Sequence, residues 1–511
     1  MRNASGRAMR GRLPNSAVMV AVIAGSLWGI CANADDFPRH GAPAPDGAAK
    51  ATGKGPSLLF FNPSWSDGLV WQTIDDRLQL RIGVHFIYDW TGVTQDSGLD
   101  GMGSPACTGA ETRDFQIDMH GRLSSKTLFR LQYDIDGGKA ELQDNYLERG
   151  DVPHIGRIRL GHFKEPFGLE NMTSARNLVF MERSLADTLT PARGVGVSLA
   201  DTVCGERLTW NVGTFFDTAS VEKIGESQAV SLVGRVTGVA VRNDEKRELL
   251  HLGISPGLRS LKSVHRYEAR PEVNSAPRYL DTGDFSADAM LLLNVESAYS
   301  KGPLLLQGEC VWARVSGGMR AEGVTLNDIA EEASVRFPKL TRWLQGHSGW
   351  QRPSDSVLWK IPFDLTARGD FNFFGLYGQI SYILTGEHRP YDASSGLFGA
   401  PVPVHPFSLR GFSGLGSWEV AARLSRLDLA DAYMDGGRET NVTLGINWYL
   451  NSNMRMAFNY VHGKIDRDVY EGSMDAFQIR FQADIKPQDI SEYGPSRKTR
   501  KTATTHSKAR R

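Results

Sequence analysis

Residues Leu78 to Trp90 read LQLRIGVHFIYDW. Leu78, Leu80, Ile82, Val84, Phe86, Tyr88 and Trp90 are apolar, and Gln79, Arg81, Gly83, His85 and Asp89 lie between them. A β-strand sends successive side chains to opposite faces, so a period of two gives one apolar and one polar face. The last clear strand repeats the pattern: Phe477, Ile479, Phe481, Ala483 and Ile485 alternate with Gln478, Arg480, Gln482 and Asp484. Similar alternation runs through 115–123, 129–135, 208–216, 418–424 and 444–450. The chain is therefore read as all-β.

A soluble sandwich would also alternate, with its apolar face inward. Three features select a membrane barrel instead. Arg2, Arg7, Arg10 and Arg12 precede an apolar run from Ala17 to Ile30, and Ala32-Asn33-Ala34 supplies small residues for cleavage. That is the layout of a secretory signal peptide cut near Ala34. Cys31 follows the bulky Ile30, which argues against a lipoprotein signal. The strands are about nine to eleven residues long, the length a tilted strand needs to cross a bilayer. Aromatic residues gather near strand ends (Tyr88, Trp90, Trp448, Tyr449, Phe458 and Tyr460), as interfacial girdles require.

The expected fold is a transmembrane antiparallel β-barrel of about sixteen strands. Ser124 to Lys126, Asn243 to Lys246, Ser300 to Pro303 and Asn451 to Asn453 are short enough for periplasmic turns, and the longer connections then lie outside. Strand five falls near Ile155–Gly161 and strand six after Gly194, which makes His162 to Arg193 the third external loop. In sixteen-stranded porins that loop folds inward, and a barrel of this width keeps an aqueous channel unless something fills it. The segments are 1–34 signal peptide, 35–70 periplasmic leader, 71–485 barrel, and a basic, disordered tail at 486–511.

The chain carries 58 basic and 58 acidic side chains. Setting aside the signal peptide's four arginines and the tail's eight basic and two acidic residues leaves 46 basic against 56 acidic, a net of −10. That excludes a whole-protein basic field for nucleic acid. No apolar run beyond Asp35 reaches about 18 residues, so no membrane-spanning helix is expected. Cys107, Cys204 and Cys310 are too few and too widely spaced for a disulfide framework or a metal site. No cofactor is called for, and no nucleophile elbow points to an enzyme.

One insert breaks the strand pattern: Gly161 to Ser184, GHFKEPFGLENMTSARNLVFMERS. With Leu384 to Tyr391 (LTGEHRPY), Pro406 to Leu409 (PFSL) and Asn447 to Asn451 (NWYLN), it resembles the phosphate-selective porin O and P family of bacterial outer-membrane proteins. The resemblance runs from near Asn62 to Ile485. It implies a Gram-negative outer-membrane porin, a homotrimer in lipid, passing small anions such as inorganic phosphate or polyphosphate by passive diffusion. In the family's phosphate channels arginines line the wall and lysines ring the constriction.

The polar strand face here carries Arg77, Arg81, Arg122, Arg130, Arg157, Arg159, Arg235, Arg423, Arg455 and Arg480 against Asp89, Asp118, Asp134, Glu296, Glu309, Glu419 and Asp484. Guanidinium groups present planar donors suited to phosphate oxygens. The constriction and anion-binding candidates are Lys164, Arg176, Arg183 and Arg193 in the insert, with Arg81, Arg157 and Arg159 on the wall. Ala400 to Val404 (APVPV) replaces a stretch expected to be basic in close relatives, which leaves open a non-specific general porin. The long sixth external loop, with its excursion at Met319 to Gly346, leaves open a surface-binding barrel that conducts poorly. Gly386 to Arg389 with Asp392 holds metal-ligating side chains but reads as a packed turn.

Overall fold

A computed structural model describes residues 61–485, apart from 66–68, 74–77, 103–107, 137–138, 217–229, 262–263, 317, 320–366, 369, 409–413 and 432–433. The expected signal peptide, the basic tail, Cys107 and most of the expected sixth external loop lie outside the described residues.

The main sheet has eighteen strands. The first two, Phe61–Trp65 and Leu69–Thr73, form a hairpin whose second strand pairs with the foot of the next, from Leu69↔Ile82 to Gln72↔Gln79. The other sixteen form the barrel. They are β1 (Gln79–Gln95), β2 (Thr108–Ser124), β3 (Thr127–Asp136), β4 (Lys139–Val152), β5 (Gly156–Lys164), β6 (Arg193–Val203), β7 (Leu208–Phe216) and β8 (Val230–Asn243). There follow β9 (Glu248–Ser260), β10 (Ala289–Lys301), β11 (Leu304–Ser316), β12 (Phe371–Ile383), β13 (Ser417–Asp431), β14 (Met434–Tyr449), β15 (Met454–Arg467) and β16 (Tyr470–Ile485). Each pairs antiparallel with the next, and β16 pairs with β1 from Met474↔Gln95 to Ile485↔Val84, which closes the ring. Closure leaves no edge with unpaired backbone groups.

The strands run from nine residues in β5 and β7 to seventeen in β1 and β2. The longest exceed the nine to eleven residues expected from the sequence, because a strand continues past the apolar band once its ladder is established. Alternation is plain on β14. Val442, Leu444 and Ile446 are 43–49% exposed, while Asn441, Thr443 and Asn447 are at most 1% exposed. A bulge between Val239 and Val241 in β8 reverses the rule there, turning Val241 to the exposed side. On the exposed face Trp418 stacks on its cross-strand partner Trp448 at 5.1 Å, and both indole N–H groups donate to Leu415 O. Leu232 on β8 is 56% exposed on that face. Leu232→Arg is expected to cost about 2–4 kcal/mol if this face meets lipid. Refolding yield into lipid vesicles measures it, and an unchanged yield would contradict the assignment.

Much of the other face is covered, because three long connections pack on it. Residues 261–288, between β9 and β10, place Val273, Tyr279, Leu280 and Phe285 in one buried apolar cluster with Val311, Phe371, Phe373, Leu427, Val461 and Met474 of the strands. Residues 384–416, between β12 and β13, bring Tyr391 and Phe398 into a second cluster with Leu169, Val179, Phe180 and Leu249. The third connection, residues 165–192, joins both clusters through Phe167, Leu185 and Leu169.

Candidate functional site

The segment between β5 and β6 contains a single helical turn, α1 (Leu169–Met172), and two 3₁₀ turns, Ala175–Asn177 and Leu185–Leu189. Its entry is set by Gly168, whose φ of 69° suits glycine and whose Cβ would meet Glu309 Oε2 at 2.8 Å. Glu309, on β11, accepts hydrogen bonds from the backbone N–H of Leu169 (2.8 Å) and Glu170 (2.6 Å), from Asn294 Nδ2 (2.9 Å) and from Tyr377 O–H (2.7 Å). A wall carboxylate thus satisfies the open donors at the start of α1.

Further along, wall arginines hold the segment by its carbonyls. Arg455 donates to Leu178 O and Val179 O, each at 2.7 Å, and to Asn447 Oδ1 at 2.6 Å. Asn447 Nδ2 also donates to Val179 O, at 2.8 Å. Arg389, from the β12–β13 connection, donates to Asn177 O at 2.9 Å, and Arg480 donates to Met181 O. Arg423 donates to Glu182 O at 3.0 Å and to Glu170 Oε1 at 3.2 Å. The Glu182 carboxylate accepts from Arg113 Nε at 3.1 Å and Arg480 Nη2 at 2.7 Å. Burial opposes its ionisation, but Arg113 and Arg480 together hold its pKa down to about 2. Burial raises the Glu170 pKa, an effect that Arg423 and Ser184 partly offset.

Seven cations were singled out in the sequence, and the structure does not gather them at one point. Lys164 donates to Asn171 O (2.5 Å) and Thr173 O (3.3 Å), and Arg183 donates to Glu170 O (3.3 Å) and the same Thr173 O (3.0 Å). Both therefore cap carbonyls at the end of α1, where positive charge is favoured. Arg193 pairs with Lys164 across the β5–β6 ladder and reaches Asp144 at 2.7 Å. These three form one group. Arg176 lies elsewhere, 3.4 Å from Asp484 and 4.0 Å from Asp118. Arg157 donates to Ser394 O at 3.1 Å, and Arg159 pairs with Glu148 at 2.6 Å with its guanidinium over the Tyr146 ring. Alternation puts Arg81 on the buried face of β1 with His85 and Asp89. Alternation alone would put Lys164, the last residue of β5, on the side of the exposed Leu160, but its ammonium turns to the carbonyls of the β5–β6 segment.

The family model for phosphate-selective porin O and P matches residues 80–336 and 342–485. The chain belongs to the phosphate-selective porin O and P family. It is 22% identical to Porin O of Pseudomonas aeruginosa over 426 residues, 78% of this chain and 86% of that protein. An uncharacterized protein of Caulobacter vibrioides is 23% identical over 381 residues, 71% of this chain and 64% of that one. Among solved structures, the anion-selective porin from Comamonas acidovorans superposes with a TM-score of 0.43 and 13% identity, covering 80% of this chain and 99% of that one.

As a porin O and P family member the chain is an outer-membrane porin, which matches the closed sheet with its exposed apolar face. Several residues of this porin gained a role only from the structure. Arg423, Arg455 and Arg480, read from the sequence as wall cations, bind the β5–β6 segment; Glu309 and Arg389 do the same. On a polar strand face a solute-facing arginine and a loop-binding one look alike in sequence. The GEHR motif forms a packed turn: Glu387 Oε2 accepts from Ser417 Oγ at 3.0 Å, and Arg389 pairs with Glu419 at 2.8 Å. Among the described residues no three His, Cys, Asp or Glu side chains are grouped to hold a metal ion. Cys204 and Cys310 are free thiols.

Proposed function

We propose that this porin passes small anions, inorganic phosphate or polyphosphate among them, by passive diffusion along the buried face of the barrel. In this reading the β5–β6 segment folds into the lumen and narrows it, and Lys164, Arg176, Arg183, Arg193, Arg81, Arg157 and Arg159 are the cations that solutes meet. The chain acts as a channel and not as an enzyme, and as a homotrimer, which the mass of the detergent-solubilised protein tests.

The observation that carries the reading is the state of Arg455. It is held by neutral oxygens, and among the described residues it has no carboxylate within the 4.0 Å of an ion pair. Away from bulk water an uncompensated cation creates a strong positive potential, the field an anion pore requires. A general porin is the second reading. It is favoured by the neutralisation of Arg235 by Glu296, Arg389 by Glu419 and Arg480 by Asp89, at 2.6, 2.8 and 2.6 Å.

Reversal potentials in planar bilayers under a KCl gradient, repeated with phosphate, separate the two. Anion selectivity with chloride current blocked by low phosphate is expected. Conductance without that block would favour the general porin, and cation selectivity would overturn the anion reading. Arg176→Glu and Arg183→Glu are each expected to lower the chloride-to-potassium preference by about threefold or more. Unchanged selectivity in both folded variants would remove these residues from the constriction.

A further inference from the structure

Arg423 is approached from a second side. Glu272, in the β9–β10 connection, is 4% exposed, and its carboxylate meets three side chains on the buried faces of β13 and β14. It accepts hydrogen bonds from Arg423 Nε (3.2 Å) and Nη2 (2.5 Å), from Thr443 Oγ1 (2.5 Å) and from Ser425 Oγ. The Glu272 backbone is fixed as well. Its N–H donates to Arg270 O at 2.8 Å, and its carbonyl accepts from Gln478 Nε2 at 3.2 Å. Its φ is 59°, a left-handed conformation that disfavours every residue but glycine. A residue held against its backbone preference, with its side chain saturated by donors, marks a contact the fold maintains at a cost.

The donors belong to the barrel and the acceptor does not. Arg423 and Thr443 are direct partners in the β13–β14 ladder, and Ser425 lies two residues along the same face as Arg423. Their spacing is therefore set by the sheet, whether or not Glu272 is present. Arg423 is oriented independently too. Its remaining contacts are Glu170 Oε1 at 3.2 Å, Glu182 O at 3.0 Å and the Phe180 ring at 4.4 Å. A guanidinium edge with two hydroxyls beside it, away from water, is a donor set for an oxyanion. The ion pairs Arg480–Asp89 and Arg235–Glu296 differ, because both partners in each are strand residues and neither can leave.

We propose that Arg423, Ser425 and Thr443 form an oxyanion-binding site in the barrel wall, and that Glu272 is a tethered carboxylate occupying it. A small oxyanion, with inorganic phosphate as the probe, competes with the Glu272 carboxylate for these donors. The choice of phosphate rests on the anion-channel reading; the occupation of the site by a loop carboxylate does not. Glu170 shares Arg423, so the hydroxyls carry much of the recognition and binding is weak enough for release, as conduction requires.

Calorimetric titration of the detergent-folded full-length barrel with inorganic phosphate tests this. Glu272→Gly removes the carboxylate and suits the left-handed backbone, and Glu272→Gln keeps a side chain of similar size. Phosphate affinity is expected to rise about tenfold in Glu272→Gly and less in Glu272→Gln. Adding Ser425→Ala and Thr443→Val to Glu272→Gly should abolish the gain. Equal affinity in the parent and both Glu272 variants would overturn the proposal, as would failure of both variants to fold. A cation-selective parent in bilayers would sink the anion-channel reading alone, leaving a phosphate gain in Glu272→Gly as support for the tethered carboxylate.

Discussion

Glu419→Ala is expected to destabilise the folded barrel by about 3–5 kcal/mol, the cost of breaking a buried ion pair from one side. Glu419 on β13 is fully buried. Its carboxylate accepts from Arg389 Nε (3.0 Å) and Nη2 (2.8 Å), Tyr449 O–H (2.9 Å) and Asn447 Nδ2 (2.9 Å). Truncation leaves the Arg389 guanidinium buried with only neutral acceptors, Asn177 O, Gly399 O and the Tyr449 hydroxyl, and removes one tie between the β12–β13 connection and the wall. Glu419→Gln keeps hydrogen-bonding capacity and loses the charge, so it should cost less than the alanine variant. The urea midpoint for loss of the compact, heat-modifiable band on unboiled gels reads both. A difference from the parent below about 1 kcal/mol for Glu419→Ala would show that water or a neighbouring acceptor replaces the carboxylate.

Arg455→Met should act on one segment rather than on the whole barrel. It removes the donors to Leu178 O, Val179 O and Asn447 Oδ1 while keeping the buried stem. Hydrogen bonds from a charged donor contribute about 1.5–3 kcal/mol each, and Val179 O keeps its bond from Asn447. Local opening of the 3₁₀ turn at Ala175–Asn177 and the residues after it is expected to become about a hundredfold more frequent, seen as faster amide exchange there with the strand amides unchanged. In bilayers the same variant should show a noisier current and a weaker anion preference, since a cation without a close carboxylate has been lost. Unchanged exchange would mean that Phe180 and Leu169, packed in the second apolar cluster, hold the segment without Arg455.

Much of the scaffold was legible because strand signals are local. Alternation in Leu78–Trp90 anticipated β1, and the fifth and sixth strands, expected at Ile155–Gly161 and after Gly194, are found at Gly156–Lys164 and Arg193–Val203. The turns after β2 and β10 fall within the short polar stretches named for them, and those after β8 and β14 overrun theirs by one residue. Strand lengths were underestimated because the ladder outruns the apolar band that defined them. The candidate site was less legible. All seven cations could be named as cations, but Lys164 and Arg183 meet on one carbonyl of α1, Arg176 sits with Asp484, and Arg157 reaches Ser394, more than two hundred residues along the chain.

By itself the sequence determined that the chain is built of alternating strands in a closed antiparallel ring, and which strand residues share the polar face. A period of two and a turn are each written within about twenty consecutive residues. Only the tertiary structure decided which polar-face charges confront each other and which hold a connecting segment. Arg423 meets Glu170 and Glu272, and His251 meets Tyr391, because ring closure and the three packed connections bring distant residues together. A long side chain's partner depends on where other segments end up, and no local pattern records that.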